Sequence, residues 1–147
     1  VLDTKRKITK AGLESCATQV LPEGTTIVTA RGTVGRLALV GAPMAMNQSC
    51  YAVRGLEPLG PILSYYLLHG ILHTLKQRTH GSVFDTITRE TFRGIAVEVP
   101  PPNLVARFEL TVRPLFERMR SNLRQSTFHQ ESQIYFLGEE SHWFESQ

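Results

Sequence analysis

The stretch Thr25-Thr26-Ile27-Val28-Thr29-Ala30-Arg31-Gly32-Thr33-Val34-Gly35-Arg36-Leu37-Ala38-Leu39-Val40 sets two β-branched and aliphatic runs on either side of a short loop with two glycines and two arginines. Such runs favour strands, and glycines between them let one strand turn back into the next. Strands are therefore expected near 25–30 and 36–40, with 31–36 as an exposed turn and a third strand near 49–54. Glycine lets backbone approach a ligand closely, and arginine can grip guanine or phosphate with two parallel hydrogen bonds. Asn47 and Gln48 follow closely and carry the side-chain amides that pair with adenine. An amide between a loop and a strand also commonly ties down backbone groups. Taken alone, a glycine turn flanked by arginines is an ordinary solvated turn, so the neighbouring segments decide its meaning.

Outward from this turn the chain alternates. Thr9 can cap a short helix to about Thr18, and Leu21-Pro22-Glu23-Gly24 reads as a turn. Glu57-Pro58-Leu59-Gly60-Pro61 opens a helix that runs to about Arg78. Leu59, Leu63, Leu67, Ile71 and Leu75 recur every fourth residue, widened by Ile62, Tyr66, Leu68 and Leu72, as a largely buried helix requires. Tyr65 and Tyr66 are expected to pack rather than stack on bases. Thr88 can cap a turn at 89–93, and Ile95, Val97 and Val99 alternate like a half-buried strand before three prolines.

From Asn103 another helix begins. Leu104, Phe108, Val112, Leu115, Met119 and Leu123 follow three- and four-residue steps, the seam of a coiled coil that needs a partner helix. Pro114 lacks a backbone donor and is expected to bend or break this helix. Two short helices packed on their own domain are the alternative. The fold class is thus mixed α+β. A domain over residues 1–102 carries a twisted sheet and packed helices, a spacer or dimerisation helix spans 103–126, and a divergent tail spans 127–147.

Charge is unevenly placed. Residues 1–124 hold 16 Lys/Arg against 9 Asp/Glu, whereas 125–147 hold none against 4, so the basic excess lies entirely in the part expected to fold. That favours a polyanionic partner through counterion release. Two cysteines, Cys16 and Cys50, are too few for a disulfide framework, are expected as core thiols, and fit a reducing cytoplasm. Lys5-Arg6-Lys7 is not followed by an apolar run, so no signal peptide is read, and a start at Val1 fits a trimmed product. The apolar stretch 62–75 is too short and too interrupted by tyrosine and histidine to span a bilayer.

In order and spacing, a set of segments resembles the target recognition domain of type I restriction-modification specificity subunits. They are Ile8-Thr9-Lys10-Ala11-Gly12-Leu13, Leu21-Pro22-Glu23-Gly24-Thr25, Arg31-Gly32-Thr33-Val34-Gly35 and Asn47-Gln48-Ser49-Cys50-Tyr51. Gly81-Ser82-Val83-Phe84-Asp85-Thr86-Ile87, Ile95-Ala96-Val97-Glu98-Val99-Pro100-Pro101 and the helix around Pro114-Leu115-Phe116-Glu117-Arg118-Met119 complete the set. The resemblance implies sequence-specific binding of double-stranded DNA. It also implies methyltransferase (modification) subunits as partners and, through them, the restriction subunit. A full subunit of that family carries two recognition domains and two spacer helices, whereas this chain has room for one of each. A homodimer through helix 103–126 would restore two half-sites and a split, pseudo-palindromic target. From Thr127 onward the resemblance stops.

The side chains expected on DNA follow from their chemistry. Lys5, Arg6, Lys7, Lys76 and Arg78 would hold phosphates, while Arg31, Thr33, Arg36 and His80 would approach base edges, with Thr79, Ser82, Asn47 and Gln48 as secondary candidates. Catalytic readings are weak. His69 and His73 are four apart on a helix, but Gly70 stands where a zinc protease motif has glutamate, so packing or surface roles are expected and no metal is. Nothing local marks Cys16 or Cys50, even with His80 as base, as an activated thiol, and Ser49 and Ser82 lack a nucleophile elbow. Phosphate-loop and dinucleotide glycine fingerprints are missing, and Pro100-Pro101-Pro102-Asn103 is not a methyltransferase signature, so no cofactor and no self-contained catalysis are expected. Two other binding readings compete. Gly32-Thr33-Val34-Gly35 matches the GXXG loop by which KH domains clamp RNA, although that loop joins helices and here strand-like runs flank it. The seam helix could also serve a purely structural pairing module.

Overall fold

A computed structural model describes residues 1–78, 86–93 and 95–140, with only the backbone course given for 75–78 and 127–140. In chain order the elements are α1 (Lys10–Glu14), β1 (Val20–Leu21), β2 (Thr26–Thr29), β3 (Leu37–Leu39), β4 (Met44–Ala45), β5 (Cys50–Val53), α2 (Pro61–Arg78), α3 (Arg89–Phe92) and α4 (Pro102–Glu140). The fold is mixed α+β. The three expected strands form as β2, β3 and β5, antiparallel in the order β3-β2-β5, with Ile27 opposite both Ala38 and Ala52. A second ribbon, β1 with β4, pairs Leu21 with Met44 and had no clear sequence signal at two residues per strand.

β2 is the centre of the domain because it carries β-branched residues and is hydrogen-bonded on both edges. Val28 is fully buried and joins Ala30, Leu68, Leu72 and Ile87 in one core cluster, with Val34, Leu37, Tyr51, Val53 and Phe92 packed around it. Each valine, leucine or isoleucine side chain of this cluster taken from water stabilises the fold by about 1.5–3 kcal/mol. α2 lies against β2 and β3 on one face and α4 on another. That double contact explains a departure from the expected stripe. The deepest positions on α2 are Ile62, Leu68 and Leu72, while Leu63, Leu67 and Ile71 are only half-buried.

Local chemistry sets the short elements. Thr9 caps α1 as expected, its hydroxyl accepting from the Gly12 N–H at 3.0 Å, but α1 ends at Glu14 and buries no residue. Before α3 the Thr91 hydroxyl accepts from the Thr88 N–H at 3.0 Å. The strand expected at Ile95, Val97 and Val99 does not form: the segment is unpaired, and Val97 and Val99 are exposed. Alternation reports an extended chain but not a neighbouring strand, and the prolines at 100–102 remove three ladder donors directly after it.

α4 corrects a second expectation. It runs unbroken through Pro114 from Pro102, whose fixed φ suits a first helical position, and remains helical to Glu140, past the expected change at Thr127. Proline in a helix interior costs about 3 kcal/mol. Leu110, whose carbonyl loses its donor, and Pro114 itself are both exposed, so water can satisfy that carbonyl. The helix is held on either side of this point. Val105 and Glu109 are buried before it, and Tyr66 meets Phe108 and Phe116 edge-on with ring centroids 6.3 and 6.4 Å apart. Phe108 and Val112 of the expected seam thus lean on the domain itself, while Leu104, Leu115 and Met119 remain exposed.

Neither cysteine is a core thiol. Cys16 is exposed beyond α1, and Cys50 is half-buried in β5, where desolvation raises its thiol pKa. Iodoacetamide at neutral pH is therefore expected to alkylate Cys16 well before Cys50, read by mass of the labelled peptides; equal rates would place Cys50 in solvent. No helix among the described residues is long and apolar enough to cross a membrane.

Candidate nucleic-acid interface

The turn between β2 and β3 is stiff for reasons visible in its backbone. Gly32 and Gly35 take φ of +73° and +76°, values that L side chains rarely adopt. The Gly35 N–H donates to the Thr29 carbonyl at 2.9 Å and the Thr29 N–H to the Arg36 carbonyl at 3.0 Å, closing the base of the turn. The Thr29 hydroxyl accepts from the Arg36 N–H at 3.0 Å and itself donates to the Thr33 carbonyl, so one side chain fastens both limbs. Val34 packs on the core cluster and pulls the inner side of the turn down. Arg31, Gly32, Thr33 and Arg36 stay exposed, and nothing lies within 4 Å of where a Cβ on Gly32 would stand.

Antiparallel pairing brings other segments to the same end of the sheet. Thr29 is opposite Cys50, so the turn Asn47-Gln48-Ser49 lies beside the root of the 31–36 turn. Ala30 joins three segments: its N–H donates to the Ser49 carbonyl at 2.8 Å, and its carbonyl accepts from the Ile87 N–H at 3.0 Å. The Asn47 side-chain oxygen accepts from the Ser49 N–H at 3.0 Å and its carbonyl from the Cys50 N–H at 3.3 Å. Asn47 therefore does the structural job weighed for it, leaving its amide NH2 and the exposed Gln48 side chain for any ligand.

The other expected DNA-contacting residues fall into separate groups. Lys5, Arg6 and Lys7 are exposed on the N-terminal segment, where Lys7 pairs with Asp3, and no hydrogen bond or ion pair joins them to the 31–36 turn. That segment is anchored by Val1 to the Leu39 carbonyl at 2.6 Å, at the opposite end of β3 from the turn. Lys76 and Arg78 lie in the last turns of α2, with side chains outside the described residues, and Thr79, His80 and Ser82 fall wholly outside them. Among the described residues neither Arg31 nor Arg36 is paired with a carboxylate.

One grouping was not anticipated. A cavity of about 310 Å³ opens between the foot of the turn and α2, lined by Gly35, Arg36, Leu37, Tyr65, His69, Leu72 and His73. The four-residue spacing of Tyr65, His69 and His73 was legible, but their meeting with Arg36 depends on how α2 crosses β3. The GXXG run joins β2 to β3, not two helices, so it is not the KH arrangement. No group of three or more metal-binding side chains occurs among the described residues.

The chain is 26% identical over 103 residues to the type I restriction enzyme MjaIX specificity subunit of Methanocaldococcus jannaschii, covering 67% of this chain and 23% of that protein. The chain thus spans about a quarter of the length of that relative. Residues 2–104 match the family model for the type I restriction modification DNA specificity domain, and this chain belongs to that family.

Proposed function

We propose that this chain reads base sequence in double-stranded DNA for a type I restriction-modification assembly and leaves catalysis to partner subunits. The observation that carries this reading is the 31–36 turn. Its roots are fixed by backbone hydrogen bonds and by Thr29, while Arg31 and Thr33 project with no carboxylate among the described residues paired to the arginine. A stiff mount matters because ordering a loose loop would consume binding free energy. Arg31 and Thr33 approach base edges from the turn, with Gln48 and the Asn47 amide beside them and His80, Thr79 and Ser82 as further contacts; Arg36, grouped with the base readers on sequence, stands at the foot of the turn on the side of the backbone, and Lys5, Arg6, Lys7, Lys76 and Arg78 hold phosphates.

The assembly partners are a methyltransferase subunit and, through it, the restriction subunit, in the cytoplasm of a bacterium or archaeon. α4 is the surface for assembly. Its exposed Leu104, Leu115 and Met119 suit pairing with an equivalent helix, and a homodimer made that way presents two recognition domains to a split target.

Selection from a random duplex library with the purified chain, alone and then with a modification subunit, tests the reading. Enrichment of a defined half-site is expected, and duplex should outcompete single strands and RNA. If about five phosphates are neutralised, log affinity falls against log salt with a slope of roughly −4 to −5. Arg31→Ala is expected to reduce discrimination between selected and random duplex by about 1–3 kcal/mol. Equal losses on both DNAs would remove Arg31 from base reading.

A further inference from the structure

We infer that the cavity between the turn and α2 is a seat for one phosphate of the bound nucleic acid, with Arg36, His69 and His73 as its donors. The inference rests on the DNA-reading proposal for its ligand, but the seat is carried by a different set of side chains. Tyr65, His69 and His73 are spaced four apart on α2 and so form one ladder along the helix. Arg36 meets that ladder from the start of β3, and the Gly35 backbone enters with φ of +76°, leaving no side chain in the way. Leu72, nearly fully buried, belongs to the core cluster and supplies an apolar floor.

The lining is one-sided in its chemistry. It presents a guanidinium, two imidazoles and a phenol, all able to donate, and no carboxylate among its residues. Arg36 has no ion pair among the described residues, and its fixed positive charge opposes a metal cation between the two histidines. A tetrahedral oxyanion satisfies several such donors at once, and charge-assisted hydrogen bonds to phosphate are the strong kind. The volume of about 310 Å³ is ample for a phosphate group. Position supports the same ligand. The cavity lies at the foot of the turn whose tip carries Arg31 and Thr33, so a strand read at the tip would run its backbone past the foot. Arg36 then positions the strand, and Arg31 is left as the residue that discriminates bases.

Two measurements on the full chain test this. Affinity for selected and random duplex is measured across salt for wild type, Arg36→Ala and the double variant His69→Gln/His73→Gln. Each variant is expected to bind both DNAs more weakly by the same factor and keep the specificity ratio, and Arg36→Ala, which removes a fixed charge, to make the log–log salt dependence shallower by about one. Separately, inorganic phosphate and pyrophosphate are titrated while the ring protons of His69 and His73 are followed by NMR. Saturable shifts are expected in wild type and not in Arg36→Ala, with circular dichroism confirming that the variant is folded. Loss confined to the selected sequence would make Arg36 a base reader and overturn the seat. An unchanged salt slope in Arg36→Ala would also overturn it. So would histidine shifts with Zn²⁺ and none with phosphate. If wild type binds no duplex while phosphate still shifts both histidines, the seat stands and the DNA-reading proposal falls.

Discussion

Ile87→Ala is expected to lower the free energy of unfolding by about 2–4 kcal/mol, the range for emptying a close-packed aliphatic site. Ile87 is 1% exposed and belongs to the cluster of Val28, Ala30, Leu68 and Leu72, where α2 meets the central strand. Its N–H also donates to the Ala30 carbonyl, one residue before Arg31, so the side chain anchors the floor beneath the recognition turn. Alanine keeps that backbone bond, and the loss reports packing alone. Ile87→Val should cost about 0.5–1.5 kcal/mol. Urea denaturation checks both, with midpoints shifting and the slope unchanged if the folded state keeps its extent. A loss below about 1 kcal/mol for Ile87→Ala would mean the site collapses or lies outside the core.

Ile87 also shows what a sequence can and cannot disclose. Its motif, Gly81 to Ile87, was legible as part of a resemblance, yet nothing local says that an isolated isoleucine after Asp85-Thr86 is a core residue. The strands of the central sheet were legible because β-branched runs and glycines are local signals, and the mount of Arg31 followed from them. The segment 95–99 misled because alternation is the same in a paired and an unpaired extended chain. Pro114 misled because its cost is local, whereas the contacts of Phe108, Glu109 and Phe116 that keep α4 in place are made with α2, about 40 residues away in sequence or more. The histidines of α2 are exposed, as expected for packing or surface residues, and they share a cavity with Arg36 only through the crossing of helix and sheet, which no local signal gives. Cys16 was misplaced for a related reason: burial of a small thiol depends on whether its helix packs, and α1 does not.

The second large effect concerns the joint between α2 and α4. α2 begins after Gly60, which has no side chain to cap the free N–H groups of the first turn. Glu109 of α4 supplies the cap from outside: its Oε1 accepts from the Leu63 N–H at 2.8 Å, and the side chain is 9% exposed. Its charge also suits the positive end of the helix dipole. Arg113, 3.7 Å from the other carboxylate oxygen, is more than half exposed and adds little. Glu109→Ala is therefore expected to cost about 2–3 kcal/mol, as for a buried hydrogen bond to a charged group. Glu109→Gln keeps an acceptor and should lose less, about 1 kcal/mol from the dipole.

Gly60 makes the joint testable as a pair. A Cβ there would stand 2.3 Å from the Glu109 carboxyl carbon, so Gly60→Ala must push the carboxylate off the helix end. In wild type this should destabilise by about 1–3 kcal/mol, as overpacking does. In the Glu109→Ala background the obstacle is gone, and the same substitution should be nearly neutral. The double-mutant cycle then yields a coupling of about 1–3 kcal/mol, read from urea midpoints. Strict additivity would show that Glu109 and Gly60 do not meet. The joint matters beyond stability because Glu109 on α2 is, with Arg120 on Glu23, one of the polar points that tie α4 to the domain. Under the proposal that α4 docks partner subunits, such ties, together with the ring contacts of Tyr66 with Phe108 and Phe116, hold the 31–36 turn in register with them. Loosening Glu109 at a temperature where the domain stays folded should therefore weaken DNA binding by the assembled complex more than by the free chain.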